Sequence, residues 1–472
     1  MSIHQLYNIS KRSFTAFDAA MNTIGQNVAN ANSEGYSRRR VTMQADSTVT
    51  QGFYSKPLER TATGTGVSIT SYERLRDALL SRSSWHANSW MGGSEEEHRI
   101  TTALQSIFAS STDGALSDQL DQFWNSWSDL ADNPTDNGVR MSVRGQGASI
   151  AATLSRLSTD IQNLQSETQR ALEGGIQDLN MLLEEVAELN AVIESGNSIG
   201  SPDLAAEDRR DVLVSKISEQ AAIRIQEEPH GGYTVLMDGI MVVSGSMAKT
   251  LELDTTSSTP QVRISDTPIT LDVPPEGGGR LSGWLRTLQT TLPETLTSLD
   301  RIAESLVKEV NALHATGHDL DGNTGVNFFY FEAGPPEKGV TASSIRLSDE
   351  VNNDSRAVVA SLGDPSDGFN DSQIANDIFR LSEGALMNGG SETLGTYAIN
   401  LVTGIGATAK RASSLYESHA ALANHVDAMA KGVSGVSLEE EMTDLIRYQQ
   451  SFAAAARVLN SAEAMMESLL SM

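Results

Sequence analysis

Several short constellations in this chain carry residue types that could do chemistry. Gly196-Asn197-Ser198-Ile199-Gly200 has the spacing of a hydrolase nucleophile elbow. That device needs a strand running into the serine and a helix leaving it. Here a long helical pattern comes before and Pro202 follows closely, so the stretch reads as a helix-ending loop. Asp319, Asp321 and Asn323 resemble the start of a calcium-binding loop, which wants glycine at its sixth position and glutamate at its twelfth. The chain has Thr324 and Tyr330 there, so Asp321-Gly322-Asn323 reads as a turn. His314 and His318 have a spacing that can place two zinc ligands on one helical face, but Ala315 stands where a metalloprotease carries its glutamate. They read as a helix-end pair. His419 falls on an apolar stripe and is expected as a satisfied buried histidine. Gly404, Gly406 and Lys410 lack the glycine and hydroxyl residue that a phosphate loop places around its lysine, since Ala409 and Arg411 stand there. No catalytic, cofactor-binding or metal-ligating set is expected, and the chain does not read as an enzyme.

Composition narrows the remaining classes. The 472 residues, with a net charge of −27, argue against nucleic acid, whose phosphates this surface would repel. With no cysteine, a disulfide scaffold and a thiolate zinc site are excluded. Lys11 and Arg12 are followed by Phe14, Phe17, Met21, Ile24 and Val28, interrupted by Thr15, Asp18, Asn22 and Gln26. That is an amphipathic pattern rather than a signal-peptide core, and no membrane span is expected elsewhere. If the protein leaves the cell, it does so without a standard cleaved leader.

What positions these residues is mostly helix. Ser2 and Gln5 have capping-box spacing, and Ile3, Tyr7, Ser10, Phe14, Phe17, Met21, Ile24, Val28 and Ala31 then recur in steps of three and four. The far end mirrors this. Ser437 and Glu440 form a second capping box, Glu439, Glu440 and Glu441 suit the first turn, and Leu445, Tyr448, Phe452, Ala455, Leu459, Ala462, Met466 and Leu469 keep the step. Each rod would be about 45 Å long. Residues 1–40 carry +3 and residues 437–472 carry −4, so charge favours their pairing. The stripes fit either ordinary core or an assembly seam.

The expected fold is mainly α with a β-rich insert: paired terminal coiled-coil helices, an elongated helical-bundle body and a small outer β domain. The boundaries read as 1–35 with 437–472 for the terminal pair, and 36–221 with 281–436 for the body, which has β-prone loops at 36–72 and 316–375. The insert is 222–276, where the apolar period changes to two at Tyr233, Val235 and Met237. Helices are expected over 98–131, 141–195 with a shift at Gly174-Gly175, 203–221, 281–315 and 392–430.

Asn27 to Val41, NVANANSEGYSRRRV, resembles the N-terminal signature of bacterial flagellar axial proteins, with Ser33-Glu34 in place of the usual small-residue and proline lead-in. Ser437 to Leu470 resembles the closing helix of the same group, with Phe452 where tyrosine is common. DRRDVLVSKIS at 208–218 and NALHATGHDLDGNTGVNFF at 311–329 narrow the likeness to the hook-associated protein 1 (FlgK) family. The resemblance implies a structural adaptor of the flagellum that joins hook to filament and polymerises through its terminal helices. The seam would then comprise Ile3, Tyr7, Phe14, Phe17, Met21, Ile24, Val28, Leu445, Tyr448, Phe452, Leu459, Met466 and Leu469. The implied partners are copies of the chain, the flagellar hook protein, hook-associated protein 3 and an export chaperone on the C-terminal helix. The implied location is extracellular, at the hook–filament junction, after type III export. Another rod- or hook-type axial protein, a non-flagellar coiled-coil scaffold and a hydrolase resting on Ser198 are the alternatives.

Overall fold

A computed structural model describes residues 3–45, 66–109, 116–256, 259–330, 339–364 and 371–470. The chain opens with α1 (Ile3–Ala29) and an antiparallel hairpin, β1 (Arg39–Ala45) and β2 (Val67–Arg74). The body follows with α2 (Ala78–Ala109), α3 (Leu116–Asp132), α4 (Asn137–Ser198) and α5 (Leu204–Gln220). Two small antiparallel sheets come next. One joins β3 (Arg224–Glu227), β4 (Tyr233–Met237), β5 (Ile240–Ser244) and β6 (Met247–Ala248) in that order. The other joins β7 (Leu251–Asp254), β8 (Gln261–Ile264) and β9 (Thr270–Leu271). The chain returns to helix in α6 (Gly279–Arg286), α7 (Leu292–His314), the short α8 (Asp349–Asn353) and α9 (Gln373–Arg380), α10 (Leu394–Ser434) and α11 (Leu438–Leu470). The protein is thus mainly α, with a β-rich segment and a helix pair formed by its two ends.

The spine is α4, with 62 residues. Asp136 starts it by accepting the Gly138 N–H at 2.6 Å. Leu154, Leu157, Ile161, Leu172, Ile176, Leu179, Leu183 and Val186 form its buried stripe. The helix does not shift at Gly174-Gly175. Gly175 instead admits the Trp284 ring of α6, which would lie 2.3 Å from any Cβ there. The stretch expected as helix over 98–131 comprises the end of α2, which begins at Ala78, and most of the separate helix α3. Gly92 and Gly93 sit mid-helix because Glu219 O and Ser282 Oγ would lie 2.3 and 2.7 Å from a Cβ at those positions. Between α6 and α7 the Leu292 N–H bonds Thr287 O, five residues back. This π turn precedes Pro293, which has no N–H to give.

The β-rich segment does not close a core of its own. Tyr233, Val235, Val243, Leu251, Val262 and Ile264 continue the same buried cluster as the helices. Two α4 asparagines hold the strands by imitating a strand edge. Asn190 donates to Tyr233 O at 2.8 Å and accepts its N–H at 2.9 Å; Asn180 does the same with Leu251 at 2.8 Å. Asp238-Gly239, with φ of 50° and 72°, makes the tight β4–β5 turn, a conformation that an Asp-Gly pair favours.

The 311–329 motif turns out to be a staple. Asn311 pairs with both backbone groups of Phe329 at 2.9 Å. His314 is fully buried, with Nδ1 2.6 Å from Val326 O and Nε2 accepting the Val359 N–H at 2.9 Å. Burial, aided by Arg140, lowers its pKa to about 4. The folded state therefore holds this histidine neutral while the unfolded chain binds a proton below about pH 6.5. Stability from this group is present above that pH and is lost on acidification toward pH 4, by roughly 3 kcal/mol in all. His314→Gln can keep one donor and one acceptor but cannot titrate. Its denaturation midpoint is expected to depend less on pH between 6.5 and 4 than that of the native chain. Equal slopes would show that His314 is not the group responsible.

Candidate assembly site at the terminal helix pair

The two ends run antiparallel. Phe14 packs on Phe452 with centroids 4.2 Å apart, and Phe17 on Tyr448 at 6.2 Å. The same register puts Met21 level with Leu445 and Tyr7 level with Leu459. Inward on α1 lie the small and polar Ser10, Ala16, Ala20, Thr23 and Asn27, together with Ile24. Tyr7, Phe17 and Met21 are half-buried, while Phe14 and Val28 stand exposed at the flank. On α11 the expected stripe does face inward: Ala455 and Ala462 are buried, and Leu445, Tyr448, Phe452, Leu459 and Met466 are half-buried. Ser2 and the side chains of Ile3 and Leu469 lie outside the described residues. Among the described residues, the contiguous core of the body contains none from α1 or α11.

Where the pair meets the body, polar groups replace apolar ones. Glu441 is 1% exposed, and its carboxylate accepts from Arg38 Nε at 2.6 Å and from Asn27 Nδ2 at 2.9 Å. Asn27 uses its whole amide. Nδ2 also donates to Arg39 O at 2.9 Å, while Oδ1 accepts the Tyr36 hydroxyl at 2.9 Å and the Arg39 N–H at 3.0 Å. Arg38 reaches Glu440 at 2.7 Å as well, and its N–H bonds Ser434 O at 2.8 Å. Burial alone would lower the Arg38 pKa, but Glu441 and Glu440 outweigh it and raise it. The clasp ties α1, the hairpin and both sides of the α10–α11 break together.

Gly35 explains its place beside Tyr36. It has φ of +74°, and a Cβ there would meet Val212 Cγ2 of α5 at 2.1 Å. The N-terminal signature thus packs directly on the 208–218 motif. Gly35→Ala is expected to cost about 1–3 kcal/mol through left-handed strain and the clash together. Val212→Ala should recover the steric part only, leaving the double variant between the two extremes in urea denaturation. Strict additivity of the two substitutions would rule out the contact.

The 208–218 motif supplies carboxylates. Arg39 binds Asp208 at 3.1 Å, and Arg74 binds Glu207 at 2.8 Å and Asp208 and Asp211 at 2.9 Å. Arg76 shares Asp211 at 2.9 Å and donates to the Tyr233 hydroxyl, while the Arg210 guanidinium stacks 3.4 Å above the Tyr233 ring. Burial opposes the Arg74 charge, yet Asp211, Glu207 and Asp208 together raise its pKa.

The constellations weighed for chemistry take structural places. Ser198 lies in the last turn of α4 and donates to Glu194 O at 2.7 Å, and Gly200 follows with φ of +74°. A groove of about 960 Å³ beside this corner is walled by Thr23, Gln26, Arg39, Tyr72, Val192 and Ile199, among others. His314 has both ring nitrogens occupied by backbone, and Asp319 accepts the N–H groups of Asp321 and Asn323 at 2.9 and 2.8 Å. His419 is half-buried rather than buried, bonded to Ser94 at 3.1 Å and set edge-on to Trp90. Gly404, Gly406 and Lys410 lie inside α10, where no loop exists to cradle a phosphate. Sequence reasoning passed over Asn27, Arg38 and Glu441 as site residues. The signal was available in part, since Asn27 opens the signature segment, but Glu441 reads as one of three first-turn carboxylates.

Among the described residues, the two ends of this helical chain pair outside the contiguous core of the body, and the polar clusters named above bond one another or the backbone. The sequence profile of the "flagellar hook-associated protein FlgK helical domain" matches residues 101–329, and that of the "flagellar basal body rod FlgEFG protein C-terminal" matches 432–472. Flagellar hook-associated protein 1 of Bacillus subtilis is 28% identical, covering 98% of this chain and 96% of the relative. Its Salmonella typhimurium counterpart is 23% identical over 98% and 99% of the two chains. The fold is that of the flagellar hook junction protein FlgK from Burkholderia pseudomallei, with a TM-score of 0.64 and 15% identity over 75% of this chain and 100% of that one. The chain is similar along nearly its whole length to flagellar hook-associated proteins of the FlgK family. It is a structural component of the bacterial flagellum.

Proposed function

We propose that this chain is the adaptor that joins hook to filament, and that it polymerises through its terminal helices. The observation that carries this reading is the apolar surface left over on the terminal pair. Phe14 and Val28 are 37% and 36% exposed on α1; Met442, Ile446 and Met465 are 49%, 52% and 48% exposed on α11. A helix that is apolar beyond the face its own partner covers is built to be covered further. The coverings we assign are neighbouring copies within the layer, and the flagellar hook protein and hook-associated protein 3 at its two ends. An export chaperone would occupy the C-terminal helix before assembly. The seam runs through Ile3, Tyr7, Phe14, Phe17, Met21, Ile24 and Val28 on one helix and Leu445, Tyr448, Phe452, Leu459, Met466 and Leu469 on the other. In this role the chain works outside the cell, at the hook–filament junction, as a structural part.

Purified hook–basal bodies test the reading. The protein should be retained on hooks that lack filaments, at their distal end, and its loss should leave bare hooks with flagellin in the medium. Filament-bearing hooks in cells without this chain would overturn it.

A further inference from the structure

A run of charge-assisted hydrogen bonds, joined at one point by the Arg38–Arg39 peptide, leads from the terminal helix pair to the β3–β6 sheet. Glu441 on α11 binds Arg38; the next residue, Arg39, binds Asp208; Asp208 is shared with Arg74; and Arg74 and Arg76 share Asp211. Arg76 then donates to the hydroxyl of Tyr233 in β4. The side chains of Arg74, Asp208 and Asp211 are 9%, 9% and 18% exposed, so water screens these links poorly. We propose that this run is a mechanical linkage, through which the seating of the terminal pair on the body sets the rigidity of the β3–β6 sheet. The inference concerns the isolated chain and does not depend on polymerisation.

Glu441 is the input, and only a carboxylate serves there. Arg38 Nε and Asn27 Nδ2 both donate to it. The Asn27 amide cannot flip, because its Oδ1 already accepts the Tyr36 hydroxyl and the Arg39 N–H. Glutamine at 441 would turn its own NH₂ toward one of those two donors. Glu441→Gln therefore opens the clasp at almost constant volume. The second sheet offers an internal control. It is anchored to α4 through Asn180 and Leu251, and none of the linkage bonds reaches it.

Hydrogen exchange on the full-length monomer tests this. In Glu441→Gln the amides of β4 should exchange about tenfold faster, while those of β7 and β8 keep their native rates. Coupling free energies are reciprocal, so Arg76→Met should loosen the amides that follow Glu441 in α11. Asp211→Asn cuts the run midway, and adding Glu441→Gln to it should bring little further change in β4. Loosening confined to α1 and α11, equal loosening of both sheets, or full additivity of the Asp211 and Glu441 substitutions would each overturn the proposal.

Discussion

Leu459→Asp is expected to abolish assembly while leaving the body folded. Leu459 sits half-buried on the inner face of α11, one heptad beyond Phe452 and level with Tyr7. In the isolated chain the carboxylate can turn toward water at the rim of a two-helix contact. In a layer where neighbours cover the pair, it is pressed into an apolar seam without an assured partner, at a cost of several kcal/mol per copy. Repeated around the layer, that penalty exceeds what any single contact returns. The body should be indifferent, because among the described residues its contiguous core includes none from either terminal helix. The measurements are the thermal midpoint of the purified variant and its ability to support filaments in cells lacking the native chain. A midpoint close to native, export into the medium and missing filaments form the expected set. Normal filaments would remove this part of α11 from the seam. Early unfolding of the body would mean that residue 459 belongs to the monomer core.

The second large effect falls on the body. Trp127 is fully buried, and its ring meets Phe328 at 5.3 Å, His314 at 6.1 Å and Phe123 at 6.2 Å. It thereby locks α3 to α7 and to the chain that follows α7. Gly147 of α4 completes the packing, since a Cβ there would lie 2.5 Å from Phe328. Neighbours held this closely cannot collapse into a void, so Trp127→Ala should remove about 3–5 kcal/mol from unfolding in urea. Trp90, 41% exposed beside His419, is the matched control and should cost far less as alanine. Equal losses at the two positions would show that the aromatic cluster is not the keystone of the body.

The terminal helix pair was largely legible in the sequence, and the clasp at its root was not. Periodicity announces α1 and α11 because a helix repeats every 3.6 residues and its apolar stripe is a local property of the chain. The stripe cannot say how the helix is rotated about its own axis. Tyr7, Phe14, Met21 and Val28 are all apolar, yet α11 covers the flank with Ala16, Ala20 and Asn27. Small side chains let the two backbones approach, and that choice depends on the partner. The clasp was harder still, because Asn27 and Glu441 are 414 residues apart and neither stands out among its neighbours.

By itself, then, the sequence determined the helix-rich class, the pairing of the ends, the change of period at 222–276 and the flagellar kinship. Each of these rests on patterns within a few residues or on a quoted motif. Only the tertiary structure decided that the β strands borrow their core from α4, that Gly175 exists for Trp284, and that the 208–218 motif binds Arg39 of the signature segment together with Arg74 and Arg76. Those outcomes depend on which distant groups share one desolvated space. A buried charge or a missing Cβ reveals its purpose only when its partner is beside it.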